Sequence, residues 1–270
     1  MYRMLVLDLD GTLVNKEGII SEPNRTAVRA AEDAGVKVVI ASARPYPAVS
    51  GVLDQLKLKD PYVIAGSGAS VWRAADGSKF FGYLMTPDQV RECAAFAKRY
   101  GYEYLAIKDD GNYYTPSFSE SASFYGDVFQ MKGYLTDFDA TDCPDCCKVM
   151  IFTEPVPEKV MECMDRMKRE LPECGVSKTW VNILEFYPSL EVRKENAMTH
   201  LAGLLDIPMK DTLAVGDDIV DIGMIKAAGL GVAMGNASDT VKAEADYVTA
   251  SNAEDGVAKV IREQILRCAE

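Results

Sequence analysis

Short, continuous apolar runs separated by amphipathic stretches fill the first and last thirds of the chain. Residues 3–8 read as a strand, and Ser21 stands where a helix cap is wanted, ahead of a helix over about 22–34 that Gly35 stops. Residues 36–41 form a β-branched run, 48–56 a helix and 62–65 another short strand. Strands that are apolar on consecutive positions suit a parallel sheet buried on both faces. From Lys194 the alternation resumes: a helix to Leu205, strand 212–215, helix 219–228, strand 230–233, a short helix, strand 247–248 and a final helix.

The middle of the chain has a different rhythm. Residues 82–87 read as a hinge, followed by a helix through about Tyr100 and a hairpin over 102–114 with its turn at Asp109-Asp110-Gly111. A strand over 148–152, a helix over 158–170 and a strand-like stretch over 176–186 complete it. Two helices among several strands predict a separate α+β module at 83–187. The flanking segments, 1–82 and 188–270, then form one α/β domain, doubly wound with a mainly parallel, Rossmann-like sheet.

Composition adds exclusions. The net charge of −12 opposes a nucleic-acid or anionic-membrane partner, although a few donors or a metal ion still allow local phosphate binding. No apolar run approaches the roughly 18 residues of a membrane span, and the short apolar start meets acids too early for a secretory core. Seven cysteines, odd in number and scattered, predict a reduced, cytoplasmic protein rather than a disulfide framework. Nothing in the sequence fixes an oligomeric state.

Two predicted strands finish on acids: Leu5-Val-Leu-Asp8, continuing Leu9-Asp10-Gly11-Thr12, and Leu213-Ala-Val-Gly-Asp217. Ligands of open α/β sheets gather at the carboxyl ends of strands. If both strands are central and parallel, Asp8, Asp10 and Asp217 converge. Clustered carboxylates resist ionisation unless a cation neutralises them, and Mg²⁺ suits carboxylates, waters and a substrate phosphate. Asp-Gly is also a common turn, and an aspartate after a strand often caps a helix. Either cluster alone reads as structural; the two at equivalent strand ends point to chemistry.

These stretches resemble the haloacid dehalogenase (HAD) superfamily. Asp8-Leu-Asp10-Gly-Thr-Leu13 matches its first motif and Gly216-Asp-Asp-Ile-Val-Asp221 its fourth. The chain is similar to the Cof-type phosphatases also through "VKVVIASARPY" and "GLGVAMGNASDTVKAEADYVTASNAEDGVA". The resemblance implies a HAD core with an inserted cap that selects substrate, and hydrolysis of small organic phosphates such as sugar phosphates. It makes Asp8 the nucleophile of an aspartyl-phosphate and Asp10 the acid and base. Ser42 and Lys194 would bind the phosphate, with Arg193 a competitor for the lysine's place. Asp8, the backbone carbonyl of Asp10, Asp217 and Asp221 would serve Mg²⁺, Asp221 through water or by orienting Lys194. Asp218 occupies a variable position and is read as a helix cap. Arg44, Ser67, Gly68 and Asn236 are further candidates for substrate or site contacts. Ala43, Ser67 and Val220 depart from the family pattern, where Gly, Asn and Asn are usual.

Two rivals stand beside a phosphatase: a phosphomutase on sugar phosphates, and a catalytically weakened phosphometabolite-binding protein. Cys143-Pro-Asp-Cys146 lacks a second pair or a nearby histidine to complete a zinc site. Cys93…Arg99 and Cys163…Arg169 have the spacing of a cysteine phosphatase loop but lie in helix-like sequence. His200, the only histidine, reads as packing or surface.

Overall fold

The computed structural model describes residues 1–140 and 143–266. In chain order the elements are β1 (Met4–Asp8), α1 (Glu22–Asp33), β2 (Lys37–Ala41), α2 (Tyr46–Leu56), β3 (Tyr62–Ala65), β4 (Ser70–Arg73) and β5 (Ser78–Gly82). Then come α3 (Pro87–Tyr100), β6 (Glu103–Ile107), β7 (Tyr113–Thr115), α4 (Glu120–Val128), β8 (Gly133–Leu135), β9 (Lys148–Phe152), α5 (Pro157–Glu170), β10 (Gly175–Trp180) and β11 (Ile183–Tyr187). The last third supplies α6 (Lys194–Leu204), β12 (Thr212–Gly216), α7 (Ile222–Ala227), β13 (Leu230–Ala233), α8 (Asp239–Ala243), β14 (Tyr247–Val248) and α9 (Gly256–Ile261). The chain divides into two compact units: Met1–Ser42, Val49–Phe81 and the residues from Arg193 onward, against Ala43–Ala48 and Gly82–Val192.

The first unit is built on an eight-stranded sheet ordered β14-β13-β12-β1-β2-β3-β4-β5. From β14 to β3 every pairing is parallel, and β4 joins antiparallel. β1 and β12 are neighbours in register, Leu7 opposite Val215, and Asp8 lies opposite Ala41 of β2. All five residues of β1 and of β12 are buried, as their unbroken apolar runs require. The Ser21 hydroxyl accepts from the Asn24 amide and starts α1, which turns Ala27, Val28 and Ala31 inward. The strand ends at Asp8, Ala41 and Gly216 therefore share one edge of the sheet.

The second unit carries a six-stranded sheet ordered β10-β11-β9-β6-β7-β8, antiparallel except for β7 with β8. Among the described residues it holds three helices, α3, α4 and α5, where the sequence pattern predicts two. The extra one, α4, buries only Ala122, Tyr125 and Gly126, so its apolar period is too sparse to read from sequence. The strand-like stretch over 176–186 is two strands, β10 and β11, turning at 181–182.

Two domain edges differ from expectation. The first unit resumes at Arg193 rather than at 188, and Pro188 stays with the second unit, its carbonyl accepting from the Gln89 side chain of α3 at 3.0 Å. Residues Ala43–Ala48, expected in the core, belong with the second unit. There the Ala43 carbonyl accepts from Lys148, and Pro47 packs on Gly111. The expected core segment to 270 runs past the described residues. Among the described residues, no helix is long and apolar enough to cross a membrane.

Candidate active site

β1 delivers Asp8, and the chain then doubles back at once. The amides of Leu13 and Val14 both donate to the Leu9 carbonyl at 3.0 Å, closing a tight loop around Asp10, Gly11 and Thr12. Gly11 has φ +87°, and a Cβ there would sit 2.3 Å from Oδ2 of Asp217. Only glycine lets this loop lie against the end of β12. The buried Thr12 hydroxyl donates to Asp217 Oδ1 at 2.7 Å. Asn236 braces the same loop: its side-chain NH₂ donates to the Gly11 carbonyl at 2.9 Å, and its oxygen accepts from the Asn252 amide.

The acids after β12 fall into three roles. Asp218 is exposed and caps the short turn at 219–221, its carboxylate accepting from the Ile219 amide. Asp221 is fully buried, and its Oδ2 accepts from the amides of Asp217 and Asp218, each at 3.1 Å. Its Oδ1 accepts from Lys194 Nζ at 2.7 Å. The same ammonium donates to Asp8 Oδ1 at 2.6 Å. Asp217 projects beside them, so that Asp8, Asp217 and Asp221 each bring a carboxylate oxygen within 4.8 Å of the others. This all-oxygen donor set fits a hard divalent cation. The Asp10 side chain, exposed in the loop, is not part of that trio.

Lys194 reaches this position because α6 starts there, and Gly68 allows it to. Gly68 has φ +106°, and a Cβ on it would meet the Arg193 carbonyl at 2.3 Å. Any side chain would push the start of α6 away. Between the two candidate cations the structure decides for Lys194, which is 3% exposed, whereas the Arg193 side chain is 59% exposed. Ser42 follows β2 and is buried, with its amide on the Ile64 carbonyl at 2.8 Å. Ser67 acts through its backbone, its amide donating to the Ser42 carbonyl at 2.9 Å. Arg44 belongs to the second unit, its guanidinium 5.2 Å from the centre of the Phe129 ring.

Three carboxylates meet one ammonium, and the surplus shows in their protonation. Burial raises the Asp8 carboxyl well above its usual value, Asp221 and Asp217 add to this, and Lys194 opposes it. Burial likewise raises Asp217 to about 6; Asp221 and Asp218 push the same way, while the Thr12 hydrogen bond and Lys194 hold it down. Burial disfavours the Lys194 ammonium, but Asp221 and Asp8 outweigh it and raise its pKa. A divalent cation among these oxygens would reverse the logic and keep the acids ionised.

Sequence reasoning alone does not single out Gly11 and Thr12 as holders of Asp217. The signal is present all the same: a threonine inside an apolar run, directly after a glycine in a loop that must turn. The cysteines and the histidine that carry chemical spacing in the sequence have structural places. Cys93 and Cys163 are buried inside α3 and α5, their thiols raised by burial. Cys143 and Cys146 are buried free thiols. The His200 ring lies against Phe81 at 4.4 Å.

Comparison with known proteins agrees with this arrangement. A family model described as haloacid dehalogenase-like hydrolase matches residues 5–261. A 5-amino-6-(5-phospho-D-ribitylamino)uracil phosphatase of Bacillus subtilis, YcsE, is 32% identical over 98% of this chain and 96% of its own. The phosphatase YwpJ of the same organism is 28% identical over 96% of this chain and 99% of its own. The crystal structure of a haloacid dehalogenase-like hydrolase from Bacteroides thetaiotaomicron superposes with a TM-score of 0.86 at 26% identity, covering 97% of this chain and 99% of that one. The chain belongs to the haloacid dehalogenase-like hydrolases and is a phosphatase of that family.

Proposed function

We propose that the protein is a Mg²⁺-dependent phosphomonoesterase acting on small organic phosphates through an aspartyl-phosphate. The observation that carries this reading is the Lys194 ammonium shared by Asp8 and Asp221 with Asp217 alongside. Lys194 occupies Asp8 Oδ1, which leaves Oδ2 as the attacking atom. In the first step Oδ2 bonds to phosphorus, the bond from phosphorus to the substrate oxygen breaks, and Asp10 gives that oxygen its proton. In the second, Asp10 takes a proton from water, whose oxygen attacks phosphorus, releasing phosphate and restoring Asp8. Lys194 and the Ser42 hydroxyl hold the phosphate oxygens.

Asp8, Asp217 and the Asp10 carbonyl would hold Mg²⁺, which offsets the surplus carboxylate charge and draws electrons from the phosphate. Asp221 has three protein donors already and serves by orienting Lys194 and the backbone at 217–218. Asn236, spent on the Gly11 carbonyl and the Asn252 amide, positions the loop.

The decisive experiment is a panel of phosphorylated metabolites assayed for phosphate release with and without Mg²⁺. It should include sugar phosphates and 5-amino-6-(5-phospho-D-ribitylamino)uracil, the compound for which YcsE is named. Metal-dependent phosphate release that is abolished in Asp8→Asn is expected; retained activity in that variant removes the reading. Formation of an isomer instead of free phosphate would favour a phosphomutase. Binding without any turnover would favour a phosphometabolite-binding protein.

A further inference from the structure

The Thr12 hydroxyl holds Asp217, so whatever sets the direction of Thr12 also bears on the carboxylate trio. Two peptide planes flank Thr12. The plane that follows it carries the Leu13 amide, which donates to the Leu9 carbonyl at 3.0 Å. The plane that precedes it carries the Gly11 carbonyl, which accepts from the Asn236 side chain at 2.9 Å. With both planes fixed, φ and ψ of Thr12 are fixed, and its β-branched side chain has few rotamers left. Gly11, at φ +87°, brings no side chain of its own to resist rotation. The hydrogen bond from Asn236 supplies that restraint.

Asn236 is exposed, and its amide group is oriented by a second anchor: the side-chain oxygen accepts from the Asn252 amide at 2.9 Å. The Gly11 carbonyl can only accept and the Asn252 amide can only donate, so one orientation of the Asn236 side chain serves both. Asn252 has that proton to give because it opens the helical turn Asn252–Glu254, and the first amides of such a turn have no partner within it. Ser251 caps the turn, its hydroxyl on Glu254 at 2.7 Å. The two segments are also drawn together directly. The Gly235 amide donates to the Ala250 carbonyl at 3.0 Å, and a Cβ on Gly235 would meet the Ser251 nitrogen at 2.7 Å. The Asn252 side chain adds a donation to the Val14 carbonyl at 3.3 Å, at the far end of the Asp10 loop. All of these residues belong to the first unit.

We propose that Asn252 is a positioning residue for the metal centre, acting through Asn236, Gly11 and Thr12 on Asp217. This rests on the reading of Asp217 as a Mg²⁺ ligand given above. The test is calorimetric titration of Mg²⁺ into the protein, with melting curves alongside. Asn252→Pro removes the amide proton where proline is tolerated, at the first position of a helical turn and after Ser251 with φ −70° and ψ 164°. Asn252→Ala keeps the amide and loses only the Val14 contact. The proline variant should raise the Mg²⁺ dissociation constant about three- to fivefold, and the alanine variant by less. Parental affinity in a folded proline variant, or an equal rise in both variants, overturns the proposal. Should the proline variant fail to fold, Asn236→Ala decides, in a double-mutant cycle with Thr12→Val. Alone it should weaken Mg²⁺ binding by a similar factor, and on top of Thr12→Val it should add little. Parental affinity in the single variant, or additive losses in the double one, overturns the proposal. A parent that binds no Mg²⁺ would fail the functional reading instead; a parent that binds it, with unaltered variants, fails this inference alone.

Discussion

Each of the two units buries a lysine among acids, and the two differ in balance. In the second unit Lys148 meets one carboxylate, Glu185, with a tyrosine hydroxyl completing the set. In the first, Lys194 meets Asp8 and Asp221, while a carboxylate oxygen of Asp217 lies within 4.8 Å of theirs. The balanced pair satisfies itself and has one donor to spare for a backbone carbonyl. The unbalanced cluster carries two more negative charges than positive ones, and pushes Asp8 and Asp217 upward in pKa. Buried charge by itself does not mark chemistry. An uncompensated surplus does, because the fold bears its cost until a cation arrives.

The strongest way to break this comparison is Asp8→Asn, expected to lower kcat by at least about a thousandfold while the fold survives. Steady-state kinetics with a melting curve checks both halves. Next comes Lys194→Met, which leaves two buried carboxylates and a half-buried one without their ammonium. It should destabilise the metal-free protein by about 3–5 kcal/mol in urea titrations, with Mg²⁺ restoring part of the loss. The triple variant Lys148→Met, Glu185→Met and Tyr187→Phe, which removes the balanced pair whole, should lose far less, and equal losses would erase the distinction between the two sites.

Metal and pH sharpen the same point. A carboxyl raised from 3.8 to about 6, as at Asp217, binds its proton more tightly folded than unfolded. Its contribution to stability is full below 3.8 and is lost as pH rises through about 6. Chelation should therefore lower the melting temperature more at pH 7.5 than at pH 5, and the apparent Mg²⁺ affinity should fall as pH drops below about 6. Melting curves at the two pH values read the first, and calorimetric titration at several pH values the second. A smaller effect is expected from Thr12→Val, which removes a hydrogen bond to a charged acceptor worth about 1.5–3 kcal/mol. Mg²⁺ binding should weaken by roughly tenfold, with Asp217 titrating higher. Smallest is Val220→Asn, which should raise activity by a few-fold by adding a hydrogen bond of about 1 kcal/mol; unchanged kinetics would mean that this amide has no role here.

Legibility follows the range of each signal. Ser21 capping α1 and the unbroken apolar runs of β1 and β12 are local facts, and the sequence displays them. Helix α4 is hidden because so few of its residues face the interior. The break at Ala43 is hidden because it depends on a lysine 105 positions away. Thr12 and Asp217 lie 205 positions apart and Lys194 and Asp8 186, so neither pairing leaves a pattern in any local window. Gly68 reads in the sequence as a candidate for a substrate or site contact, and its close approach to the Arg193 backbone, 125 positions away, leaves no local pattern.

The amino-acid sequence by itself determined where strands end on acids, since periodicity and strand-end composition are properties of neighbours along the chain. It therefore determined that Asp8, Asp10 and Asp217 would be presented at the sheet's edge. Only the tertiary structure decided which cation enters the cluster, which acid holds the backbone and which faces outward. Those choices depend on the order β12-β1-β2 and on the close approach at Gly68, which bring together side chains that local sequence leaves unrelated.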